Sequence, residues 1–163
     1  MFCYHCFWAG DREKNSIGDA VYEEYKQNGI DKALAKYRDL KANKDYEVTE
    51  WELNRIGYQL MHDDGDLEAA ENVFSLNMEE YPQAANPMDS YADYLIEKGN
   101  PEEAKNYLQK SIAQNEKNKR EDEKQLLKAS KAKLAKLENK HKQLDFLIGN
   151  WDVNSTNFQG IGA

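Results

Sequence analysis

The stretches DGDLEAAENVFSLN (residues 64–77) and KGNPEEAKNYLQKS (98–111) are two versions of one pattern. Gly65 and Gly99 stand 34 residues apart, and so do Ala70 and Ala104. Each stretch opens with Gly and a polar capping residue. It runs through acidic or mixed positions to a small Ala, then to an aromatic or apolar residue. NGIDKALAKYRDLK (28–41), with Gly29, Ala33 and Tyr37, is an earlier copy. Ala33 precedes Ala70 by 37 residues, so the KANKDYEVTE linker between these copies is slightly long. Recurrence at this period marks helical units that cannot bury their apolar faces alone and therefore stack.

Upstream of each copy the apolar residues fall at three- and four-residue spacing, the signature of an amphipathic helix. They are Gly18, Val21, Tyr22 and Tyr25, then Leu53, Ile56, Gly57 and Leu60, then Met88, Tyr91, Ala92 and Leu95. Capping chemistry supports the same helices. Thr49-Glu50-Trp51-Glu52 reads as a capping box. Asn86-Pro87 and Asn100-Pro101 each place a side-chain cap before a proline suited to the first helical position. Gly65 and Gly99 stand where a left-handed residue would end a helix. With only 9 Gly and 3 Pro in 163 residues, long helices are favoured over short strands. The expected fold is all-α.

These residues resemble the tetratricopeptide repeat (TPR) family. Its bulky, apolar, small, aromatic, second-helix Ala, aromatic and Pro positions fall on Leu53, Ile56, Gly57, Leu60, Ala70, Phe74 and Pro82 in the middle copy, with one extra residue in the turn. In the last copy they fall on Met88, Tyr91, Ala92, Leu95, Ala104 and Leu108, with Glu116 in place of the proline; in the first copy Asp45 takes that place. The resemblance implies a TPR-like antiparallel helix-pair solenoid of about three repeats over residues 16–117. It implies no catalysis. More narrowly, the repeats are similar to the region C-terminal to the hydrolase domain in bacterial β-lactamase-like serine hydrolases. That likeness raises an alternative: an accessory or dimerising fragment of a larger serine hydrolase. LDFLIGNWDV (144–153) resembles the first strand of a lipocalin-like barrel.

The flanks read differently. Residues 1–15 form a flexible extension that lacks the basic leader of a signal peptide. Cys3 and Cys6 form a C-x-x-C around His5, with no second ligand pair at a recognisable spacing for zinc. They are expected to be two reduced thiols. Residues 118–145 form a basic helix, and 146–163 a tail or the start of a truncated β domain. Across this helix and into the segment after it Leu127, Leu134, His141 and Ile148 fall seven apart, as do Ser130, Leu137 and Leu144. The helix therefore either caps the last repeat or pairs chains as a coiled coil. Ser130-Lys131-Ala132-Lys133 matches the S-x-x-K nucleophile motif without its companion motifs, and on a lysine-rich exposed helix it is expected by chance. Asn154-Ser155-Thr156 is a glycosylation sequon that matters only in a secretory host.

The net charge of −8 argues against nucleic acid as partner. No run approaches the roughly 18 apolar residues of a membrane span. Without a visible leader or span, the cytoplasm is the default location. The charge is also unevenly placed. From Lys117 to Lys142 ten Lys or Arg face four Asp or Glu, a local +6, which leaves −14 on the rest. No Ser-His-Asp set, metal cluster or phosphate loop is evident, so no cofactor is expected.

In the resembling family, ligand lies along a groove lined by the first helix of each pair. Carried onto this chain, the groove residues are Asp19, Glu23, Asn54, Tyr58, Asp89 and Asp93. Four of the six are acids, which favours a cationic protein or peptide partner. The chain's own basic helix is a second candidate for that groove, by capping or occupying it.

Overall fold

A computed structural model describes residues 14–119 and 121–149. Seven α-helices hold most of them: α1 (Ile17–Asn28), α2 (Ile30–Leu40), α3 (Glu50–His62), α4 (Leu67–Glu80), α5 (Ala85–Glu97), α6 (Pro101–Asn118) and α7 (Lys124–Gly149). The fold is all-α apart from two-residue strands β1 (Asn15–Ser16) and β2 (Tyr46–Glu47), which pair in parallel. The long linker after α2 supplies β2 and so anchors the start of the first hairpin. Helices pair in sequence order, α1 with α2, α3 with α4 and α5 with α6. Each hairpin lies against the next through α4–α5, α1–α3, α3–α5 and α2–α4 contacts.

The recurring positions form the core. Ala33, Ala70 and Ala104 are fully buried, as are Leu53, Ile56, Leu60, Phe74 and Leu108, with Tyr37 nearly so. A side chain no larger than methyl at the three Ala positions lets the two helices of a hairpin approach closely. At Gly57 even a methyl is excluded: an added Cβ would lie 2.5 Å from the Phe74 ring. Gly29, Gly65 and Gly99 all have positive φ, between 67° and 84°, where the chain reverses from one helix to the next. Asn100 accepts from the Glu103 amide as N-cap of α6, with Pro101 at the first position, as its sequence predicts. Buried polar groups repeat as well. Asn77 Nδ2 on α4 donates to the Glu50 carbonyl, and Ser111 Oγ on α6 donates to the Ala85 carbonyl, tying each second helix to the start of its partner.

Several local expectations are corrected. Thr49 is the N-cap of α3, but its side chain makes no capping bond. Glu52 reaches instead to the neighbouring hairpin, where it accepts from Ser16 Oγ and from the Gly18 amide at the N-terminus of α1. A carboxylate there also suits the positive end of the helix dipole. Asn86-Pro87 is not a cap. Helix α5 starts at Ala85, so both residues lie in its first turn, where a missing N–H costs nothing. The basic segment 118–145 is not one continuous helix. Helix α6 runs to Asn118 and ends at Lys119 in a left-handed conformation (φ 53°), and a short 3-10 turn over Glu121–Glu123 leads into α7. Residues 144–149, read as strand, continue α7. The C-x-x-C, the sequon and residues 150–163 lie outside the described residues.

Candidate functional site

A cavity of about 570 Å³ opens between α3, α5 and α7. Its walls repeat. Helix α3 contributes Trp51, Asn54, Arg55 and Tyr58, and α5 contributes Asn86, Asp89, Ser90 and Asp93. Each member of the second set follows its counterpart by 35 residues. Within each helix the spacing is three, one and three, so one helical stripe from each hairpin faces the same space. Gln125, Leu126, Ala129 and Lys133 of α7 close the third side.

The charges in this cavity are matched. Lys133 Nζ donates to Asp89 Oδ2 at 2.6 Å and to Asp93 Oδ2 at 2.7 Å. Ser130 Oγ, fully buried, donates to Asp89 Oδ1 at 2.5 Å, with the Leu126 carbonyl oxygen at 3.0 Å. Tyr58 completes the seat by donating its hydroxyl to Asp93 Oδ2 at 2.8 Å. Burial alone would lower the Lys133 pKa, but the two carboxylates outweigh it and hold the ammonium above its ordinary value. Burial and the Asp93 carboxylate likewise raise the Tyr58 hydroxyl, keeping it a donor. A partly buried pair of this kind is screened by salt less than a fully exposed one.

Of the expected groove residues, Asn54, Tyr58, Asp89 and Asp93 come together at this cavity; Asp19 and Glu23 do not. Asn54 is buried, and its Oδ1 accepts from Asn77 Nδ2 at 2.7 Å, which binds it to the core of its own hairpin. Asp19 is exposed and pairs with Arg55 across the first two hairpins at 2.7 Å. Glu23 is also exposed and lies one helical turn beyond Asp19. Asp19 and Glu23 precede Asn54 and Tyr58 by the same 35 residues that separate the α3 and α5 stripes, so they occupy the corresponding stripe of the first hairpin without lining this cavity.

Other lining residues were not anticipated. Trp51, Arg55, Asn86 and Ser90 were legible in principle, since they complete the same stripe. Ser130 and Lys133 stand out in the sequence only as a chance S-x-x-K match and through the charge split, and Ser130 is buried rather than on an exposed face. In this arrangement Lys133 Nζ donates to Asp89 and Asp93, and Ser130 Oγ donates to Asp89 rather than to the lysine. The orphan donor in the cavity wall is Asn86 Nδ2, buried without a partner among the described residues. Trp51, 65% exposed, forms the rim. Among the described residues no group of His, Cys, Asp and Glu could hold a metal ion, and no helix is long and apolar enough to cross a membrane. No family model, curated protein or solved structure matches the chain.

Proposed function

We propose that the three hairpins form a TPR-like solenoid and that the chain is a non-catalytic interaction module. Its inner face takes a cationic segment of another polypeptide. The observation that carries this reading is the seating of Lys133 between Asp89 and Asp93, an arrangement of carboxylates suited to an ammonium group. Two features beside the seat suit a polypeptide ligand. Trp51 offers an exposed aromatic surface at the rim, of the kind that anchors interfaces. Asn86 supplies a buried amide donor in the wall, and leaving such a donor unmet is costly.

The test is an anisotropy titration of the full chain with a labelled lysine-bearing amphipathic peptide and with its counterpart in which every Lys is Glu. Only the lysine peptide should bind, more weakly at high salt. Trp51→Ala should weaken binding about tenfold, as expected for an aromatic anchor, while leaving the melting temperature unchanged. Equal binding of the two peptides, or binding of neither, would overturn the reading.

A further inference from the structure

We infer that α7 is a displaceable resident of the groove and that the partner is a basic amphipathic helix competing with it for the Asp89–Asp93 seat. This inference rests on the cationic-groove reading above and adds the shape of the ligand and a cis competitor.

Leu126, Ala129, Ser130 and Lys133 follow helical spacing, so a single stripe faces α3 and α5. Small Ala129 and Ser130 let the backbone come close, and Lys133 then reaches both carboxylates. The groove is therefore matched to a helix carrying a small residue three positions before a lysine.

Every helix from α1 to α6 contributes fully buried residues to the core. Among the described side chains of α7, Ser130 alone is buried, and Leu126, Leu127, Leu134 and Leu137 are only half-buried. Lys131 pairs with Glu116 at 2.7 Å with both side chains 53% exposed, a surface contact of small consequence. Among its described side chains α7 thus adds no fully buried apolar group, only the half-buried Leu134 and Leu137 packed on the core, and its polar lock on Asp89 and Asp93 supplies the specific attachment. Elements with so little buried apolar surface open at the low end of a fold's stability range.

The left-handed Lys119 ends α6, and Asn115 Nδ2 donates to the Glu123 carbonyl across the turn. Helix α7 therefore follows a break rather than continuing α6 as one rod. It can leave the groove without unwinding the hairpin beneath it.

A cis occupant lowers apparent affinity in proportion to the fraction of molecules with the seat closed. The experiment uses a labelled synthetic peptide of residues 121–143 and the full chain. The peptide should bind the wild-type chain weakly and the Lys133→Ala chain at least about tenfold tighter, since the competitor has lost its anchor. Ser130→Glu sets a second carboxylate against Asp89 and is the independent variant, with the same expected gain. Adding Asp93→Asn to either should abolish the gain. Hydrogen exchange on both variants should show faster exchange in 124–140, with 50–62 and 85–97 still protected. Equal binding to wild type and both variants would overturn cis competition while leaving the cationic groove standing. Binding to none of the folded chains would overturn both.

Discussion

Replacing Gly57 by Ala puts two effects of opposite sign in direct competition. In a helix interior the change should stabilise, because Ala is favoured over Gly by about 1 kcal/mol. In this fold the new methyl would lie 2.5, 2.7 and 2.8 Å from three carbons of the Phe74 ring. Reaching an ordinary contact of 3.4 Å requires the ring or the helix to move by about 0.9 Å. Phe74 is fully buried. Its ring is flanked by Tyr58, edge-on with centroids 5.3 Å apart, and by Tyr94 at 6.3 Å. There is no slack on either side, so the strain should fall in the upper part of the range for an overpacked core, about 2–3 kcal/mol. Net of propensity, Gly57→Ala should destabilise by about 1–2 kcal/mol, near 4 °C of melting temperature per kcal/mol. Urea and thermal melts of the full chain by circular dichroism measure this. Gly57→Ala combined with Phe74→Leu should cost less than the two single changes added together, because the smaller side chain relieves the clash. A Gly57→Ala chain more stable than wild type, or strictly additive behaviour in the cycle, would refute the close-packing argument.

Two other perturbations test the joints between helices. Glu52→Ala removes the carboxylate that accepts from Ser16 Oγ and the Gly18 amide; the expected cost is about 1 kcal/mol, by analogy with a lost N-cap. Amide exchange should speed up at the start of α1 and not at the start of α3, which a local capping box would instead affect. Tyr25 donates to Asp66, the N-cap of α4, at 2.7 Å. Burial and the Asp66 carboxylate push the Tyr25 hydroxyl up to about 12. The Ala69 amide and the Tyr25 hydroxyl hold the Asp66 carboxyl below its ordinary value. The tyrosine contribution is complete below its ordinary pKa of 10 and is lost as pH rises towards 12. The aspartate contribution is complete above 3.8 and is lost as pH falls through the lowered value. Melting temperature against pH should therefore fall at both ends, and Tyr25→Phe should flatten part of the alkaline arm; an unchanged arm would count against the bond.

The all-α pairing of helices was determined by residues that act locally. Gly29, Gly65 and Gly99 set the reversals through backbone freedom, and the Ala33, Ala70 and Ala104 series sets close approach through side-chain size. Both depend on spacing along the chain, which a sequence displays directly. Local pattern was misleading where two partners were equally reachable: Glu52 satisfies the same chemistry on α1 that a capping box would satisfy on α3. The choice between those amides rests on how the hairpins lie against each other. The cavity divides in the same way. Its α3 and α5 stripes follow from register, with Trp51 and Arg55 recoverable from the 35-residue correspondence to Asn86 and Ser90. The excess of acids on the inner positions, too, was visible in the sequence. What neutralises Asp89 and Asp93 was not, because Lys133 lies 44 and 40 residues away in sequence, on a helix rich in equivalent lysines. Lys133 differs from Lys131 and Lys136 in having a small residue three positions before it, but that spacing alone does not say which carboxylates it meets. The packing of α7 does so, because only one of these side chains meets two carboxylates in a space sheltered from water.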